Sequence, residues 1–185
     1  MRTSRSGESA LLLLDVVDLL TDRKVDYAVI GALAASVHGV VRASMDADVL
    51  LSVGVREAES LEHNLKTEGF RTEMRRGDFE DPIPGLIEVR DSHDNRVDLL
   101  LGLRGMESQV FSRVIEVPFQ GKSLKFIGRE DFIAMKVFAG GPMDLVDASR
   151  AISAGRDSLD LDLTRRLAHK YGRDASETLE RLLND

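Results

Sequence analysis

The chain has no cysteine among its 185 residues, so disulfides and thiolate metal sites are excluded. Any metal must be held by oxygen or nitrogen ligands. An excess of basic residues is also lacking: the formal net charge is −7. That argues against a broad polyanion-binding surface and leaves only a local basic patch to consider. A membrane-spanning run is missing as well. The run Leu11-Leu12-Leu13-Leu14 is soon interrupted by Asp15 and Asp18, whereas a bilayer needs roughly 20 apolar residues. Arg2 and Arg5 imitate the start of a secretory signal, but the leucines are followed by VVDLLTDRK and not by small residues. The segment reads as an amphipathic helix, and the expected setting is the cytoplasm.

What is present, 43% hydrophobic and 31% charged residues, suits one globular unit or a core with a small appendage. Helical spacing covers Ser9 to Asp22. Asp26 to Ile30 is short and β-leaning and ends in Gly31. Leu33 to His38 reads as a short helix closed by Gly39. Met45 to Val53 alternates and then turns wholly apolar, as a strand buried on both faces does. Glu57 to Glu68 is a second amphipathic helix, stopped by Gly69, and Phe70 to Met74 is a strand.

Arg75 to Gly85 is a polar loop bearing Pro and Gly, expected to be mobile. Leu86 to Arg90 and Arg96 to Leu101 flank a hairpin connection, Asp91 to Asn95. Val114 to Phe119 and Ser123 to Ile127 form another hairpin, turned by Gln120-Gly121-Lys122. After Gly128 only helical spacing remains, over Glu130–Ala139, Leu145–Ala154, Leu161–Tyr171 and Ala175–Leu183. The expectation is therefore an α/β (α+β) part over 1–127 and a helical part over 128–185, whose helices can pack directly on the sheet.

Chemistry enters with Asp46-Ala47-Asp48, 15 residues beyond Gly31. Carboxylates at i and i+2 of a strand share one side of the sheet. Like charges near a core repel and lose hydration. A divalent cation resolves both problems; a strand end emerging into solvent is the other account, less attractive before the apolar run Leu50, Leu51, Val53. Asp98 sits in a second apolar strand, Arg96 to Leu101. With the two strands adjacent, three carboxylates would meet at one sheet edge and suit two-metal phosphoryl transfer. Oxygen-only ligation with help from substrate phosphates fits Mg²⁺ (or Mn²⁺). The Gly31-Ala32 turn ahead of a helix supplies close backbone approach to a phosphate.

Together these residues resemble the DNA polymerase β-type nucleotidyltransferase superfamily, marked by a glycine turn, Asp-x-Asp and a third acidic strand residue. The chain is most similar to its small bacterial branch, which includes stand-alone nucleotidyltransferase-like proteins and abortive-infection toxin enzymes. The matching residues are Gly31-Ala32, His38-Gly39 and Arg42-Ala43-Ser44-Met45-Asp46-Ala47-Asp48. Gly128 to Lys136 and Met143-Asp144-Leu145-Val146-Asp147 extend the match, so that it covers Tyr27 to Ala154.

The resemblance implies a nucleotidyltransferase-like mixed sheet flanked by helices, and transfer of a nucleoside monophosphate from an NTP to an acceptor hydroxyl. It assigns Asp46, Asp48 and Asp98 to metal and catalysis, with Asp98 helping to deprotonate the acceptor. Gly31, Ala32, Arg42 and Lys136 would bind nucleotide. The acceptor class (protein, RNA or small molecule) stays open, and a protein partner within a toxin–antitoxin system is one setting. Ala32 departs from the family's Gly or Ser, losing a hydroxyl and adding a Cβ.

Several of these residues admit plainer roles. His38 precedes a capping glycine and can bond backbone. Lys136 could be a solvated helix lysine, and Arg42 a brace for the turn. Arg71, Arg75 and Arg76 could guide a polyanionic acceptor or simply be solvated. For the whole protein, the alternative to an enzyme is an inactive nucleotidyltransferase-fold module that binds nucleotide or a partner.

Overall fold

The four-leucine run belongs to α1 (Ser9–Asp22), a core helix: Leu12, Leu13, Leu14, Val16, Val17, Leu19 and Leu20 are all buried. Burying such a side chain contributes roughly 2 kcal/mol, which is why the helix is apolar around most of its girth. The computed structural model of the protein describes residues 1–40 and 44–184. The remaining elements are β1 (Tyr27–Ile30), α2 (Gly31–Val37), β2 (Asp46–Leu51), α3 (Val55–Thr67), β3 (Arg71–Arg76), β4 (Gly85–Arg90) and β5 (Arg96–Leu100). After a 3-10 turn at Ser108–Ser112 come β6 (Ile115–Phe119), β7 (Lys122–Phe126), α4 (Arg129–Ala139), α5 (Pro142–Ala154), α6 (Leu161–Tyr171) and α7 (Arg173–Asn184).

The seven strands form one mixed sheet in the order β3-β4-β5-β2-β1-β7-β6. The β2–β5 and β1–β7 pairs are parallel and the others antiparallel. α1 packs on β2 and β5, and α3 on β3 and β4. Ala47, Val49, Val97 and Leu99, which alternate with the aspartates, are almost wholly buried. One continuous apolar cluster joins these strands to α1 and to the helices after Gly128, including Phe132, Ile133 and Leu167.

Two polar devices fix the geometry. Ser9 Oγ donates to the Met45 carbonyl at 2.6 Å and accepts from Arg96 N at 3.0 Å, so the start of α1 pins the starts of β2 and β5 together. Further along, the buried Glu107 carboxylate takes Arg113, Arg166 and Lys170, while Arg113 also grips Asp131 with two bonds of 2.7 Å. That network ties α4 and α6 to the segment that follows the sheet's β5.

The element boundaries shift from the sequence expectation in instructive ways. α2 begins at Gly31 itself, with no separate turn before Leu33, and the left-handed φ of +64° at Gly31 is where the chain changes direction out of β1. Arg75 and Arg76 belong to β3 and Gly85 opens β4, so the loop is shorter than expected. It is also cross-braced: Asp78 Oδ1 accepts from Glu80 N and Asp81 N, and Gly77 N donates to the Pro84 carbonyl. The hairpin at Gln120-Gly121 is as expected, with both residues at positive φ.

Candidate active site

The site is built where β1 ends, β2 begins and β5 runs beside it. Asp48 stands directly opposite Asp98 across the parallel β2–β5 pair, and opposite Ile30 on β1. In-register residues share a face, so Asp46, Asp48 and Asp98 lie on one side of the sheet. Gly31 sits immediately above: a Cβ at Gly31 would overlap Asp48 Oδ2 and lie 2.8 Å from its Cγ. The backbone thus approaches the carboxylate as closely as an amino acid allows.

The same face carries two ladders. Glu73, Glu88, Asp98 and Asp48 form an acidic row across β3, β4, β5 and β2. Arg71, Arg90 and Arg96 form a basic row beside it, ending at Asp46. Asp98 is buried, and its carboxylate accepts from Arg96 Nε at 2.8 Å and Nη2 at 2.5 Å. Arg96 Nε also lies 3.2 Å from Glu88 Oε2, and Arg90 Nε donates to Glu88 Oε1 at 2.6 Å. The bond from Arg90 holds the Glu88 carboxyl below its usual range, and the Asp98 carboxylate raises the Arg96 guanidinium further above its own. Among the described residues, no three His, Cys, Asp or Glu side chains are drawn together as a ready-made metal cage.

Of the three aspartates, Asp48 alone lines a cleft of about 300 Å³ that separates the sheet from α4. Gly31 and Asp48 line one wall, and Met135, Lys136 and Phe138 the other. Pro82 and Ile83 of the β3–β4 loop close one side. Lys136 is buried, not solvated: Nζ pairs with Asp144 Oδ1 at 2.6 Å and Asp147 Oδ2 at 3.0 Å, both on α5, and lies 5.6 Å from the Phe132 ring centroid. Gly31, Asp48 and Lys136 are therefore brought to one cavity. Ala32 is buried and does not line it, so its Cβ leaves the approach from the cleft unaltered. Arg42 lies outside the described residues.

His38 has a structural role, though its bond runs to the segment after β7 and not to the end of its own helix. Its Nε2–H donates to the Ile127 carbonyl at 2.8 Å and its ring sits 5.1 Å from that of Phe132. Burial disfavours its charged form and lowers its pKa. Arg71 and Arg75 pair with Asp94 and Glu73, and Arg76 with Glu59, on the exposed edge strand.

Two residues escape the sequence reading, Glu88 and Arg96, while Asp144 and Asp147 stand there in the matched segment without a role. The hairpin around Asp91–Asn95 carries the first signal, since pairing Arg90 with Arg96 sets Glu88 against Asp98 two residues on.

The donor set suits a hard divalent cation. All three candidate ligands are carboxylates on one face of the sheet: Asp48 faces Asp98 across β2–β5, Asp46 lies two residues before Asp48 and opposite Arg96, and only a glycine at 31 leaves room for the Asp48 carboxylate itself. No helix among the described residues is long and apolar enough to cross a membrane. No family model and no curated protein matches the sequence.

Solved structures do match. The antibiotic-resistance factor ANT(2'')-Ia aligns with TM-score 0.61 at 14% identity, over 94% of this chain and 96% of that one. An antigenic nucleotidyltransferase-like protein from Paracoccidioides brasiliensis gives 0.57 at 15%, over 98% and 90%. The lincosamide antibiotic adenylyltransferase LnuA, with lincomycin bound, gives 0.51 at 14%, over 82% and 99%. Sheet, glycine and aspartates thus sit in a chain whose likeness to these structures is one of architecture: it has a nucleotidyltransferase-like fold.

Proposed function

We propose that the protein is a metal-dependent nucleotidyltransferase, moving a nucleoside monophosphate from an NTP to an acceptor hydroxyl. The observation that carries this reading is the stacking of Gly31, Asp48 and Asp98 on one face of the sheet, beside a cleft that also receives Lys136. Asp46, Asp48 and Asp98 would hold Mg²⁺ (or Mn²⁺), which when bound neutralises phosphate charge and polarises the α-phosphoryl group. Gly31 lets the backbone at the end of β1 close down on the Asp48 carboxylate, holding that ligand at the mouth of the cleft. Lys136 offers a positive charge on the opposite wall, exchanging an α5 carboxylate for phosphate. Asp98 accepts the proton of the acceptor hydroxyl as the new oxygen–phosphorus bond forms. The bond between the α-phosphorus and its bridging oxygen breaks, and pyrophosphate leaves with that electron pair. Catalysis of this kind is mainly positioning and charge compensation.

Adenylyl-2''-tobramycin in one ANT(2'')-Ia structure and lincomycin in LnuA support a small-molecule hydroxyl as acceptor. Water can stand in for it slowly, which gives a test needing no acceptor. On incubation with each NTP and Mg²⁺, the products should be the nucleoside monophosphate and pyrophosphate, absent with Asp48→Asn. Nucleoside diphosphate and inorganic phosphate as products would reject the assignment.

A second reading, a nucleotide-binding module without turnover, draws support from the Arg96–Asp98 pair, which holds the proposed base in an ion pair. NTP binding with no α–β cleavage in any condition would favour it.

A further inference from the structure

Asp98 reaches its place with both carboxylate oxygens held by Arg96. The two residues are i and i+2 on β5, so their side chains lie side by side on one face. For Asp98 to turn toward a cation, the guanidinium must give up those bonds and find another acceptor. Unpaired, a partly buried guanidinium would oppose the turn. One such acceptor is already in reach. Glu88 Oε2 lies 3.2 Å from Arg96 Nε, on the strand directly across from Asp98. Its other oxygen is fixed by Arg90 Nε at 2.6 Å, which keeps Oε2 turned toward Arg96. The guanidinium, with five donors in a rigid fork, already bridges the two carboxylates.

We infer that Glu88 is a positioning residue that receives Arg96 when Asp98 engages the metal, so that Arg96 partitions between the two carboxylates and sets the cluster's cation affinity. The inference rests on the metal-dependent transfer reading above. It is distinct from a purely mechanical ladder, in which cross-strand ion pairs only stiffen the sheet. In that case, loss of Glu88 lowers stability and leaves metal affinity alone.

The test is direct titration with Mn²⁺ alone, from micromolar to millimolar, reading the free ion by electron paramagnetic resonance. Wild type, Asp48→Asn, Glu88→Gln, Arg96→Met and the double variant are compared, with thermal unfolding run beside each. Arg96→Gln replaces Arg96→Met in both backgrounds if the latter fails to fold. Glu88→Gln should weaken Mn²⁺ binding about tenfold, the scale expected for a residue behind a metal ligand. In the Arg96-substituted background the same change should have no effect, because Glu88 acts only through Arg96. Equal weakening in both backgrounds makes Glu88 a nearby negative charge and nothing more, and overturns the inference. Unchanged affinity in the single variant overturns it too. If wild type shows no Mn²⁺ binding that depends on Asp48, the transfer reading itself falls and takes the inference with it.

Discussion

A Cβ on Gly31 would overlap Oδ2 of Asp48, so the residue that follows β1 and starts α2 is fitted to the carboxylate beneath it. Two independent constraints meet at this glycine. Its φ of +64° is a conformation that side chains rarely adopt, and the space above it is already taken. Gly31→Ala should therefore cost at least about 1 kcal/mol from the backbone alone. Displacement of Asp48 should add to that. Urea unfolding measures the first effect and metal-dependent nucleotide binding the second; both should fall together.

Lys136 is held on α4 by two α5 carboxylates, and Asp147 is 1% exposed. Lys136→Met should destabilise the protein by about 3 kcal/mol, since it takes a buried ammonium away from two carboxylates that it pairs with. Asp144, which is more exposed, should matter less: Asp144→Asn should cost under about 1 kcal/mol. Chemical denaturation of the two variants separates the contributions. Equal losses would mean that the buried Asp147 carries no special weight.

Glu107 gives the acid limb of the stability profile. Hydrogen bonds from Arg166 and Lys170, helped by the charge of Arg113, depress its carboxyl to about 2 from an ordinary 4.5. A depressed carboxylate contributes its stability fully above the unfolded value and loses it as pH falls through the folded one. Glu107→Gln should thus be less stable than wild type at neutral pH, with the gap closing as pH falls from 4.5 toward 2. Thermal melts across that range check it; a constant gap would mean that the charge is immaterial.

His38 should behave in the same direction at milder pH. Burial disfavours its charged form and lowers its pKa below 6.5, so protonation favours the unfolded chain and stability declines as pH drops below that value. Nitrogen-15 shifts of the neutral imidazole should report one tautomer, protonated at Nε2 toward the Ile127 carbonyl, with less imidazolium at pH 6.5 than in the unfolded chain.

Much of this architecture is written in local signals. Leucine spacing marks α1, the positive-φ pair Gln120-Gly121 marks the last hairpin, and Asp46, Ala47 and Asp48 reveal a strand with one polar side. The fate of Asp98 is a different matter. Its partner Arg96 is visible two residues away, but the choice between a converging aspartate cluster and an arginine ladder depends on which strand lies on the far side of β5. That is a property of the sheet and not of the segment. Lys136 shows the same limit: helical spacing cannot reveal that α5 folds back to place Asp144 and Asp147 over its ammonium group. Ala32 illustrates the converse, since a helix starting at Gly31 turns the next side chain inward and the feared Cβ never meets the cleft.

The central claim is that Gly31, Asp48 and Asp98 form a metal-dependent triphosphate site. The measurement that tests it most directly is calorimetric titration of ATP, GTP, CTP and UTP into wild type, Gly31→Ala and Asp48→Asn, with and without Mg²⁺. The account predicts that wild type binds at least one triphosphate only when Mg²⁺ is present, and that both variants lose that binding while remaining folded. Binding that ignores Mg²⁺, or that survives Asp48→Asn unchanged, would contradict it.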